Sequence, residues 1–463
     1  MIHNKVFIVA AATAALVSSQ HALAAGFAVS AQSAYGMGNA YAGNAAVASD
    51  ASTVLTNPAG IFELDGPVFG GSVSITSTGV DYENRGSLTN ELLGAGPVSG
   101  RESVSLSSNS PAPSLYYARQ LNDQWALGFG FNVPFATTSS YDDDWVGRYH
   151  AVDTEVRAFD FNPTVAYRIN DKVSIGGGIS VQFASANLTS KLDTGAVCFQ
   201  AAAASDADPL TQAACANNGV TPNTVSADSD IELDGTGTAV TFNLGALFKP
   251  REGTKIGVAY RHGSQHKLKG DATFDLHPFV QGVFDQSSNP LFSETGTTIS
   301  ADLPATFDVS LAQSVNDKLE LLGTLKWTQW SVFDQLTSDF DNPAQDTAAI
   351  TFNWEDAIMF STGLNYQVNN KFTLRAGFAF DQEPVPSPTF RSPRGAANDR
   401  YWYSIGGSYQ FSKKLSGHFA VTHIEMDQAA IDNTGDSAGA PTLRGLYDFD
   451  VNLVGFQLNW HFI

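Results

Sequence analysis

The chain has 463 residues, with 25 Lys or Arg against 46 Asp or Glu and a formal net charge of -21. Such an acid excess excludes a nucleic-acid partner, whose phosphates are held by clustered cations. Hydrophobic residues are 43%, charged residues only 15%, aromatics 11%, and there are 41 glycines, which is too apolar for a disordered chain, too ordinary for a bundle of membrane helices, and suited to β structure with little charged surface.

Met1 to Lys5 form a short basic start, Val6 to Val17 an apolar run, and Ala22-Leu23-Ala24 an A-x-A cleavage signal. Residues 1–24 therefore read as a secretory signal peptide with the mature chain starting at Ala25, because the run is shorter than the roughly 20 residues that cross a bilayer. Residues 25–66 lack alternation and are dense in Ala, Gly and Ser, including Gly26, Gly36, Gly38 and Gly43. Such a segment is a compact plug of short helical turns inside a lumen or, alternatively, a disordered periplasmic tail.

From about residue 67 the pattern has a period of two. Trp125, Leu127, Phe129, Phe131, Val133 and Phe135 alternate with Ala126, Gly128, Gly130, Asn132 and Pro134, and Val454, Phe456, Leu458, Trp460 and Phe462 with Gly455, Gln457, Asn459 and His461. Alternation alone also fits a soluble sandwich. Here the runs reach about 10 residues and the polar parity is small rather than charged, which points to a transmembrane barrel, apolar outside and polar inside, over residues 67–463. Short turns at Asn122-Asp123, Asn170-Asp171, Asn316-Asp317, Asn369-Asn370, Arg251-Glu252-Gly253 and Lys413-Lys414 separate the runs, Asn and Asp being suited to tight turns. Six such turns join twelve strands, and a first strand near 67–80 with a last near 447–462 makes fourteen. Long polar stretches at 82–110, 136–156, 188–236 and 265–302 fall on the opposite, extracellular side. The fold expected is all-β: a 14-stranded antiparallel barrel with an N-terminal hatch.

Cys198 and Cys215 are the only cysteines and share one loop of an exported chain, so a disulfide is expected. Zinc is excluded by the lack of a third ligand nearby, and His262 and His266 lie in a segment without helical pattern; no metal or cofactor is expected. Asp142-Asp143-Asp144 is either a divalent-cation site or a solvated acidic loop. The apolar stretch Phe274 to Phe292, with Phe279 and Phe284, either lines a capture groove or packs on itself. No G-x-S-x-G or H-E-x-x-H motif supports a barrel enzyme such as a lipase, and an adhesin would not explain the glycine-rich hatch.

Ala25-Gly26-Phe27, Tyr35-Gly36-Met37-Gly38-Asn39-Ala40-Tyr41-Ala42-Gly43, Asn57-Pro58-Ala59, Trp327-Thr328-Gln329-Trp330-Ser331, Phe380-Asp381-Gln382-Glu383-Pro384 and Asp399-Arg400-Tyr401-Trp402 resemble the FadL family of outer-membrane transporters of long-chain fatty acids and other hydrophobic compounds. The resemblance implies a bacterial outer-membrane barrel, monomeric, working beside lipid and lipopolysaccharide. It takes a hydrophobic small molecule from a loop groove to a lumen pocket and then sideways through a kinked third strand. Pro134 then marks the kink or simply the strand end, with Gly128 and Gly130 making room on the inward parity. Asn57, Pro58 and Ala59 are expected to fix the hatch against that kinked strand, and Phe27 to touch the ligand. Positions where fatty-acid carriers are expected to be basic hold Ser190 and Thr337, which points towards neutral hydrocarbons. Lys326 and Arg375 are inward by parity, and either receives a carboxylate or pairs with acids such as Glu320 and Asp381.

Overall fold

The alternating runs close into one antiparallel wall of fourteen staves. Along the chain these are β1 (Val68–Asn84), β2 (Ser103–Gln120), β3 (Trp125–Ser140), β4 (Asp153–Asn170), β5 (Val173–Leu192) and β6 (Ser229–Arg251). Four consecutive staves are interrupted: β7 (Thr254–Arg261 and Ser264–Asp275), β8 (Thr295–Leu303 and Thr306–Ser314), β9 (Leu319–Thr328 and Gln335–Phe340) and β10 (Ala348–Thr351 and Ala357–Asn369). The wall is completed by β11 (Phe372–Asp381), β12 (Arg400–Ser412), β13 (also interrupted, Leu415–Met426 and Ala429–Asn433) and β14 (Leu443–His461). β14 pairs with β1 from Val68↔His461 to Asn84↔Gly445, so the seam leaves no free edge. The computed structural model describes residues 26–89, 95–204, 211–284, 291–395, 398–436 and 440–462; the signal sequence and its cleavage point before Ala25 lie outside them.

Four of the short turns share one device. The side-chain Oδ1 of Asn122, Asn170, Asn316 and Asn369 each accepts two backbone amides at 2.9–3.0 Å, which closes the turn locally. Bonds such as Lys249 N to Lys172 O and Gln410 N to Lys371 O, both 2.8 Å, stitch these turns to neighbouring staves along one rim. Large apolar side chains such as Phe129, Leu244, Ile405 and Phe456 stay exposed on the outside of the wall, the surface a lipid bilayer covers.

The staves run further than the polarity of the sequence suggests. β5 and β6 remain paired to Leu192↔Ser229, inside the stretch expected to be loop. Glu232 and Asp234 face outward there, because a strand that rises above the lipid no longer needs an apolar outer parity.

Residues 26–66 fill the lumen with short helices, α1 (Ala34–Met37) and α2 (Thr53–Thr56), and a 3-10 turn over Pro58–Glu63. Bonds such as Ala45 N to Ser310 Oγ (3.0 Å) and Gly43 N to Thr324 Oγ1 (2.9 Å) fix the hatch to the wall. Inward glycines set how closely it sits: a Cβ at Gly128 would meet Val54 at 2.6 Å, and one at Gly176 would meet the backbone of Pro58 and Ala59 at 2.8–2.9 Å. Gly128 and Gly130 thus seat α2 of the hatch and do not line the gap described below. Asn57 is likewise held elsewhere than expected. Its Nδ2 donates to Ala45 O (2.7 Å) and to Ala246 O of β6 (2.9 Å), and its Oδ1 accepts Ala59 N (3.1 Å). The Asn57-Pro58-Ala59 turn therefore rests on β5 and β6, where Gly176 and Gly245 allow close approach, and not on the third strand.

Candidate functional site

β2 and β3 are paired only from Leu115↔Phe131 to Gln120↔Ala126, whereas β2 continues along β1 to Glu83↔Ser103. β3 stays with β4 through a bulge between Asn132 and Phe135. Pro134 sits inside this bulge, where its missing N–H suits an interrupted ladder; the strand runs on to Ser140, so Pro134 does not end it. The extra residue reverses parity. Strict alternation places Val133 and Phe135 on the lipid side, but both are buried.

The hatch N-terminus covers the inner side of this divergence. Val29 N donates to Pro134 O (2.8 Å) and Ala136 N to Phe27 O (3.0 Å), and Val29 packs between Ala112 of β2 and Val133 of β3. Gly26 has φ +62, and a Cβ there would meet Trp354 at 2.5 Å and Trp330 at 2.7 Å. Glycine is the residue that fits both the backbone and the space.

Phe27 projects into an aromatic box. Its ring centroid lies 5.0 Å from Phe333, 5.3 Å from Trp330, 5.8 Å from Phe135 and 6.1 Å from Trp354. Trp354 in turn lies 5.0 Å from Trp330 and 5.5 Å from Phe352. The interruptions of β9 and β10 supply Trp330, Phe333, Phe352 and Trp354, which turn inward where the ladder breaks. Sequence reading missed Phe352 and Trp354, whose only signal is a pair of aromatics two apart beside the polar Asn353.

A cavity of about 160 Å³ adjoins the box, lined among others by Phe135, Trp330, Asn132, Arg261, Asp308 and Lys326. Arg261 pairs with Asp160 at 3.0 Å. Lys326 stands opposite Asp308 in the β8–β9 register but makes no hydrogen bond or ion pair among the described residues. Of the acids expected to pair with it, Asp381 is bonded to Arg400 at 2.6 Å and Glu320 to Asn365 at 2.9 Å, although Asp381 and Asp308 both act on Lys326 through space. Arg375 is inward yet covered. It is 2% exposed, lies beneath the hatch with its guanidinium 3.6 Å from the Tyr35 ring centroid, and does not reach this cavity. A smaller cavity of about 50 Å³ places Ser190 and Leu336 beside Arg394, a cation that the sequence reading overlooked. Arg394 bonds to Asp153 O, Thr154 Oγ1 and Thr189 O at 2.8–3.0 Å.

The outer end is capped by its loops. Tyr141 stacks on Trp145 at 4.0 Å, and Arg148 pairs with Asp228 at 2.6 Å with both side chains buried. Asp142 and Asp144 share Arg101 as ion-pair partner and Asp143 pairs with Lys191, and no metal-ligand cluster occurs among the described residues. Cys198 and Cys215 form a disulfide between α3 (Thr194–Ala204) and α4 (Gln212–Asn217). Val280 of α5 (Pro278–Phe284) packs on that disulfide with Phe279 and Phe284 around it, so this apolar stretch packs within the loops.

The chain matches the family model described as outer membrane protein transport protein (OMPP1/FadL/TodX) over residues 14–462. It is 28% identical over 466 residues to an outer membrane protein of Neisseria meningitidis serogroup B, covering 97% of each. It is 27% identical over 440 residues to the long-chain fatty acid transport protein of Escherichia coli K12, covering 91% of this chain and 92% of that protein. A crystal structure of a Pseudomonas aeruginosa FadL homologue superposes with a TM-score of 0.84 at 23% identity, covering 95% of this chain and all of that one. With the fourteen-stave barrel and its hatch, these matches establish that the chain belongs to the FadL/TodX family of outer-membrane transport proteins.

Proposed function

We propose that the protein imports long-chain fatty acids, holding the carboxylate at Lys326 and the apolar chain in the Phe27 box, and releases them sideways between β2 and β3. Family membership gives the coarser part plainly: this is an outer-membrane transporter of hydrophobic compounds, not an enzyme. The observation that carries the finer reading is Lys326, a cation without a bonded partner among the described residues, in a cavity that also touches Trp330 and the β3 bulge. A carboxylate there gains a charge-assisted bond. Phe27 and Val29 stand between that cavity and the β2–β3 divergence, so solute that displaces Phe27 frees the exit. Residues 1–24 direct export and are removed, and the barrel works as a monomer among outer-membrane lipid and lipopolysaccharide.

A second reading, uptake of neutral aromatic hydrocarbons, is favoured by the box itself, which is formed by Phe27, Phe135, Trp330, Phe333, Phe352 and Trp354 without a cation. Uptake of labelled oleate and of toluene by cells carrying Val29→Cys with Ala112→Cys, oxidised and reduced, tests both points. Oxidation is expected to stop uptake of whichever solute is natural, and uptake that continues after complete crosslinking removes the lateral route.

A further inference from the structure

The two strand edges that face each other across the divergence carry three prolines, and the register says which way each one points. Asn84 N donates to Glu102 O at 2.8 Å, in the β1–β2 register that sets Glu83 opposite Ser103. Antiparallel residues send N–H and C=O to the same side, alternately to one neighbour and the other. Even-numbered residues of β2 therefore bond to β1, and odd-numbered residues address β3. Pro111 and Pro113 are odd and lie beyond Leu115, the last β2 residue paired with β3. Both backbone donors are thus deleted on the unpaired stretch of that edge.

Across the divergence, the bulge makes the even residues of β3 face the hatch peptide. An antiparallel pair of Val29 with Pro134 would exchange two bonds. Val29 N to Pro134 O is made at 2.8 Å, but the return bond has no donor because residue 134 is proline. Val29 O is taken instead by the Gln32 side chain at 2.9 Å.

We propose that Pro111, Pro113 and Pro134 are positioning residues that set a weak latch: they remove donors from both edges so that β2 and β3 do not zip together and residues 27–29 are held loosely enough to leave. This rests on the lateral-exit reading. An ordinary β pair at 134 would double the bonding of Val29, and donors at 111 and 113 would offer the peptide a second strand.

The test uses the full-length barrel with Pro134→Ala and, separately, Pro111→Val with Pro113→Val, each checked for folding by heat-modifiable gel mobility. Amide exchange at Val29 is compared with the release rate of preloaded toluene. One added hydrogen bond predicts exchange and release slowed by about fivefold, in both variants and in the same direction. Unchanged exchange in both folded variants overturns the latch and leaves lateral exit standing. Exchange that slows while release does not overturns the lateral exit on which the latch depends.

Discussion

The Phe27 ring meets the Trp330 indole edge-on, with 5.3 Å between centroids, so the hatch N-terminus occupies an aromatic chamber of its own barrel. A solute entering that chamber must displace a phenyl ring whose burial is worth about 1.5–3 kcal/mol. Phe27→Ala is therefore expected to raise toluene affinity by roughly tenfold, since the box is then vacant. Calorimetry on the detergent-solubilised barrel checks this; unchanged or weaker binding removes self-occlusion from the mechanism.

Lys326 and Arg375 should separate cleanly. Lys326→Met is expected to weaken oleate binding by about tenfold or more, the scale of one hydrogen bond to a charged group, with toluene binding unchanged. Arg375→Met should leave both ligands alone and loosen the hatch, because its guanidinium stacks on Tyr35; faster amide exchange across residues 34–37 is the readout. Oleate binding indifferent to Lys326→Met would falsify the fatty-acid reading and favour neutral hydrocarbons.

How far the molecule was legible follows the same contrast. The wall was readable because lipid imposes period two and because Asn turns repeat the same local bonds, so strand number and the side of the turns came from residues alone. The site was not. Phe135 obeys the alternation in sequence and violates it in space, because the bulge beside Pro134 inserts a residue that no pattern announces. Arg375 and Lys326 share an inward parity, yet only one is left uncovered by the hatch, whose placement depends on which inward glycines face it. Arg394 reaches Thr189 from a loop 205 residues away in sequence, a long-range contact without a local signature.

The loop cap carries its own pH dependence. His150 Nε2 donates to Pro441 O (2.9 Å), and burial pushes its imidazole down to about 4 from the ordinary value near 6.5. A base whose folded pKa is depressed is neutral in the folded loops and takes a proton when they open. Its contribution is thus full above about pH 6.5 and is lost as pH falls towards 4, by something on the order of 1–3 kcal/mol. Protease cleavage within residues 141–152 should accelerate between pH 7 and pH 4.5, and His150→Gln should flatten that profile. A wild-type profile that is already flat rejects the assignment.

Export and the disulfide make one joint prediction, because the bond between Cys198 and Cys215 persists only where the compartment is oxidising. Intact mass of the purified barrel is expected to start at Ala25 and to lack two hydrogens relative to the reduced chain. Replacing both cysteines by serine should leave the barrel's heat-modifiable mobility unchanged, since the staves do not depend on the loop. It should nonetheless free α3 and α4 from α5: the link restrains the open loop by about 3 kcal/mol on the chain-entropy account, and Val280 packs directly on the bridged pair. Proteolysis confined to residues 194–217 in the serine variant, with Phe279 and Phe284 newly reactive to a hydrophobic probe, is the expected pattern. Loss of the folded barrel instead would mean that this loop unit supports the wall, contrary to its placement outside the stave ladder.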